Sequence, residues 1–118
     1  MKNFKITLLA LFCHIMVFGQ DLSLNQNKDI ISKFNNLSQK QLYDTARYYY
    51  NMSIDTVLVC FNLIVSSPVS SDPEQQQRLV ISHNFSGMIY SFMSDYRNSY
   101  KLYINGLQLC EKYNIINN

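Results

Sequence analysis

The sequence predicts an all-α protein. Three observations carry that expectation. Apolar residues recur at three- and four-residue steps through most of the chain, capping residues mark helix starts at Ser38 and Asp72, and no stretch alternates apolar and polar side chains between hairpin turns.

The first nineteen residues have the order of a secretory leader: a basic start with Lys2 and Lys5, an apolar run over residues 6–18, and the small residue Gly19 before Gln20. A run of thirteen residues falls short of the roughly 20 that span a bilayer. The sequence therefore predicts cleavage after Gly19, no stable membrane anchor afterwards, and a periplasmic or secreted protein. Cys13 follows Phe12 rather than a small residue, which argues against lipidation.

Residues 20–38 form a polar leader and a short helix, in which Ile30, Ile31, Phe34 and Leu37 keep helical spacing. Ser38 caps the next helix and Gln41, three residues on, completes a capping box. That second helix carries Leu42, Ala46, Tyr49 and Tyr50 and ends near residues 51–53. A third begins at Ile54, with Val57, Leu58, Phe61, Ile64 and Val65 as a broad apolar stripe. The serine-rich segment 66–71, interrupted by Pro68, is a loop. Asp72 then caps a fourth helix, with Pro73 in the first helical position, where its missing N–H costs nothing, and Glu74 favourably placed by the helix dipole. The fourth helix runs from residue 73 to about 93 and the fifth from about 95 to 113, leaving a polar tail over residues 114–118.

Removal of the leader changes the charge. The loss of Lys2 and Lys5 reduces ten basic residues to eight, against eight acidic ones, so the exported chain is formally neutral. A nucleic-acid partner requires a basic stripe to displace phosphate counterions, and none is present. No enzyme and no cofactor are expected either. His83 is the one histidine beyond the leader, and a nucleophile pair with Cys60 or Cys110 lacks a third group to orient it. Asp44 and Asp55 read as solvated carboxylates, and the glycines Gly19, Gly87 and Gly106 are too scattered for a phosphate loop. Tyr48, Tyr49 and Tyr50 point in different directions on a helix, so core packing is expected rather than a stacking platform. Cys60 and Cys110 sit in apolar stretches and read as buried free thiols, although an exported protein could bridge them.

Helices in pairs joined by short turns prompt a comparison between the pairs. Gly87-Met88-Ile89-Tyr90 is followed, twelve residues after Gly87, by Ser99-Tyr100-Lys101-Leu102-Tyr103, with Gly106 beyond and Asp95-Tyr96 at the turn. A looser copy places Thr45 and Val57 at the same separation. This pattern resembles the tetratricopeptide repeat (TPR), with His83 in place of the usual early tryptophan and Glu111 in place of the closing proline. The phrase Leu107-Gln108-Leu109-Cys110-Glu111-Lys112-Tyr113-Asn114 is similar to helix ends in exported TPR proteins of Gram-negative bacteria. The resemblance implies two antiparallel helix hairpins over residues 39–113, a TPR-like α-solenoid fragment.

It also implies a function. TPR-like domains bind a protein, a peptide or another copy of themselves on a concave face lined by the first helix of each pair, which by helical phase places Asn84, Met88 and Ser91 toward a ligand. An alternative is the sensory N-terminal part of a membrane-spanning transcription regulator, since solenoids generally need about three repeats and the polar tail offers no capping helix. Asp44-Thr45-Ala46 and Asp55-Thr56-Val57 further resemble an acceptor motif for O-glycosylation of exported proteins.

Overall fold

The structure is a computed structural model that describes residues 28–68 and 70–115. The expected leader, the residues after it up to 27, Val69 and residues 116–118 lie outside the described residues. The chain divides into two units, residues 1–33 and residues 34–118.

Residues 28–34 are helical (α1). The helix stops three residues before Leu37, because Asn35 and Asn36 enter a turn that the Leu37 N–H closes on the Phe34 carbonyl at 3.1 Å. Asparagine favours such turns by offering the backbone a local alternative to the helix. Ser38 then starts α2 (Gln39–Tyr49) with the expected reciprocal box: its Oγ accepts from the Gln41 N–H at 3.2 Å, and its own N–H donates to Gln41 Oε1 at 2.9 Å. A cap of this kind contributes about 1 kcal/mol. The Tyr49 carbonyl ends α2 by accepting from both Met52 and Ser53 at 2.9 Å. Ser53 in turn caps α3 (Ile54–Val65) through a bond from the Thr56 N–H.

α3 is the central helix of the second unit, packed against α2 on one side and α4 on another. Its buried residues Thr56, Val57, Val59, Cys60, Phe61 and Ile64 therefore run round most of its circumference. Leu58 and Val65, expected in the stripe, are half-buried, whereas Val59 is buried. Full burial of side chains such as Val57, Ile64 and Ile89 stabilises the unit by about 1.5–3 kcal/mol each.

After the loop, Asp72 Oδ1 accepts from the Glu74 N–H at 3.2 Å and Pro73 opens α4 (Pro73–Phe92). The turn out of α4 holds Ser94 in the left-handed region, φ 61°. Asp95 then caps α5 (Tyr96–Tyr113) by accepting from the Asn98 N–H. Asn114, also left-handed, ends α5, with the Ile115 N–H donating to the Cys110 carbonyl at 2.9 Å. The described residues contain no strand, and the short α2–α3 and α4–α5 turns fold the second unit into two helical hairpins.

Small residues set how closely α5 approaches α4: Ser99 and Gly106 are buried on α5, and Gly87 is buried on α4. A Cβ added to Gly87 would stand 3.0 Å from two ring atoms of Tyr103 and 3.3 Å from the Ser99 carbonyl oxygen. Tyr103 thus lies over Gly87, although 41% of it remains exposed, so it covers the groove from outside. At the other end of α4, the Arg78 guanidinium donates to Gln39 Oε1 at 3.2 Å and to Glu74 Oε2 at 3.1 Å, and Gln39 Nε2 donates to the Gln75 carbonyl. These bonds tie α2 to α4. Among the described residues, no helix is long and apolar enough to cross a membrane.

Candidate functional site

Tyr43 and Arg47 of α2 and Tyr50 at its C-cap follow one another at steps of four and three residues, the spacing that brings helical side chains together. They form one wall of a cleft of about 370 Å³, completed by Asn51, Phe61 of α3 and Phe85 of α4. Four rings run through it without a break. Tyr43 meets Phe61 edge-on at 6.3 Å, Phe61 stacks on Phe85 at 5.6 Å with 21° between planes, and Phe85 meets Tyr50 edge-on at 5.7 Å. Edge-to-face and offset stacking are the favoured aromatic geometries, and each contact adds about 0.5–1.5 kcal/mol beyond area burial.

Phe61, 2% exposed, is the floor, whereas Tyr50 is 39% exposed at the rim. Arg47 is the only charged residue lining the cleft, and among the described residues its guanidinium forms neither an ion pair nor a hydrogen bond. Its nearest acidic neighbour in sequence, Asp44, is taken by Lys40, whose Nζ donates to Asp44 Oδ2 at 2.9 Å. That hydrogen bond holds the Asp44 carboxyl below its usual value, with the charges of Lys40, Arg47 and Arg78 assisting. The site thus offers apolar ring surface beside an uncommitted guanidinium, which can accept an apolar side chain and a neighbouring carboxylate.

The residues singled out from helical phase lie elsewhere. Asn84, Met88 and Ser91 are half-buried, and none of them lines this cleft. Asn84 leans on α5: its Oδ1 would stand 2.9 Å from a Cβ placed on Gly106. Tyr48, Tyr49 and Tyr50 do not pack into the core as expected. Tyr48 is 70% exposed and edge-on to Tyr49 at 5.0 Å, while Tyr50 lines the cleft. Three aromatic residues in succession cannot all face inward on a helix whose core side is filled by Leu42 and Ala46.

His83 is buried at 6% exposure, and its Nδ1 lies 2.9 Å from the Leu79 carbonyl, which fixes that nitrogen as the protonated donor. Cys60 and Cys110 are free and buried. Burial pushes the Cys60 thiol up to about 11, so it stays protonated at neutral pH and is a poor nucleophile. Among the described residues no three His, Cys, Asp or Glu side chains gather to hold a metal ion. Thr56, one of the two glycosylation candidates, is buried with its hydroxyl 2.8 Å from Ser53 Oγ, and the Thr45 hydroxyl donates to the Gln41 carbonyl at 2.7 Å. No family model, curated protein or solved structure matches the chain.

Proposed function

We propose that the chain is a non-enzymatic, exported, TPR-like binding domain whose α2–α4 cleft takes a segment of a protein or peptide. One apolar side chain of the segment enters between Tyr43, Tyr50 and Phe85, and an adjacent carboxylate meets Arg47. The observation that carries this reading is the continuous run of four rings opening beside a cation with no partner of its own among the described residues. Aromatic and arginine side chains dominate the energetics of protein interfaces, because they bring large rigid surface and directed hydrogen bonds. Binding is also the role left by the chemistry: His83 is bonded to its own helix and Cys60 is a buried, protonated thiol.

Selection of peptides from a displayed random library tests it. The expected sequences share an apolar residue next to Asp or Glu, and selection against Arg47→Glu yields Lys or Arg in place of the acid. Selected peptides without an acidic preference, or a preference unchanged by Arg47→Glu, would overturn the assignment.

A further inference from the structure

Beside its contact with α4, α5 exposes an apolar stripe that the described residues cover only in part. Tyr96, Tyr100, Tyr103 and Leu107 follow one another at steps of four, three and four residues, so they form one stripe along the helix. Their exposures are 67, 69, 41 and 55%, and Phe92 and Met93, at 82 and 56%, extend the apolar surface at the turn into α5. Taking about 150–250 Å² for a fully buried aromatic side chain, the four stripe residues offer on the order of 400 Å² per chain, about half of the ~800 Å² that each partner contributes to a standard specific interface. Uncovered apolar surface of this extent marks a protein contact.

The charges beside the stripe indicate which contact. Arg97 and Glu111 are exposed, lie on the same flank of α5, and are separated by fourteen residues, two heptads. Neither forms an ion pair among the described residues, where the pairs are Lys40–Asp44 and Arg78–Glu74. Within one helix they stand about 21 Å apart and cannot meet. When two α5 helices pair antiparallel about a two-fold axis beside Ile104, Arg97 of each lies opposite Glu111 of the other, at both ends. In the same register Tyr103 of one helix meets Leu107 of the other next to the axis.

We infer that α5 pairs with α5 of a second copy of this chain through Tyr100, Tyr103 and Leu107, in an antiparallel register set by Arg97 and Glu111 that places Tyr96 beside Lys112 of the other copy. Such a two-fold contact is self-complementary, since each patch supplies both the cation and the anion. The formal net charge, +2 for the full chain and zero without the expected leader, leaves little repulsion between copies. This face is separate from the α2–α4 cleft, so the dimer stands or falls independently of peptide binding.

Sedimentation equilibrium of the protein, expressed with its own leader, tests the inference. A reversible dimer is expected. Leu107→Lys abolishes it while the far-ultraviolet circular dichroism stays helical. Arg97→Glu, which turns both cross-pairs repulsive, and Glu111→Arg each weaken the dimer about five- to tenfold at low salt, and the double variant Arg97→Glu/Glu111→Arg recovers to within about threefold of the native chain. A native chain that stays monomeric at 200 µM, including one that instead holds a different polypeptide on this face, overturns the inference. So does a dimer indifferent to Leu107→Lys, or a double variant no better than either single one.

Discussion

Phe61 and Phe85 stack with ring centroids 5.6 Å apart, joining the central helix to α4 and supplying the floor of the aromatic cleft. The two rings are unequal in burial, Phe61 being buried and Phe85 half-buried. Phe61→Ala is expected to cost about 3–5 kcal/mol of stability, as for a large side chain removed from a core, and Phe85→Ala about 1–2 kcal/mol. Urea midpoints at constant slope measure both. Equal losses would place the cleft on the surface rather than over the core.

The contact of Tyr103 with Gly87 predicts the sign of a methyl added there. Alanine is favoured over glycine in a helix by about 1 kcal/mol, but here its Cβ meets ring atoms at 3.0 Å and the Ser99 carbonyl at 3.3 Å. The ring can yield, since Tyr103 is partly exposed; the backbone carbonyl cannot yield without moving α5. Gly87→Ala is expected to destabilise by a net ~1 kcal/mol, and Gly87→Leu by about 3 kcal/mol or more. The loss from Gly87→Ala should shrink when Tyr103→Ala is already present.

Ser86 predicts the opposite sign. It is fully buried, and its hydroxyl has no hydrogen-bond partner among the described residues. Ser86→Ala removes an unsatisfied polar atom and improves helix propensity, so thermal and urea unfolding should show a gain of about 1 kcal/mol. Ser82, equally buried, donates to the Arg78 carbonyl at 2.7 Å, so Ser82→Ala should gain less.

Cys60 makes stability depend on alkaline pH. Its thiol is held at about 11 in the folded chain against 9.0 for the ordinary group. Between these values the unfolded chain loses the proton while the folded chain keeps it, so stability is full below pH 9 and falls as pH rises toward 11. The expected loss across that window is about 1–2 kcal/mol relative to Cys60→Ala, measured as the difference between their urea midpoints from pH 8 to pH 10.5. Parallel curves would contradict it.

Local signals were legible in the sequence and distant ones were not. The box at Ser38 and Gln41 and the start at Asp72-Pro73 stand where expected because each involves residues no more than three apart. Gly87 and Ser99, twelve residues apart, lie against each other because one turn fixes the register of α4 against α5. The apolar stripe of α3 differs from its sequence pattern at Leu58, Val59 and Val65 because a helix packed on two sides loses a single preferred face. The cleft depends on how α3 turns α4 back toward α2. Helical phase within α4 points to Asn84, Met88 and Ser91, which do not line the cleft, whereas the step of four and then three through Tyr43, Arg47 and Tyr50 is its local signal in the sequence.

The most direct measurement of the cleft's role uses the absence of tryptophan from the chain. A synthetic hexapeptide with one Trp beside two Asp residues, in otherwise Gly-Ser sequence, carries the only indole in the mixture. Its emission should shift to shorter wavelength saturably as the protein is added. Phe85→Ala should weaken that binding tenfold or more, and Arg47→Glu should weaken it for the acidic peptide while strengthening it for a Trp peptide with two Lys residues. Saturable binding indifferent to Phe85→Ala and Arg47→Glu, or no shift with either peptide, would contradict the account.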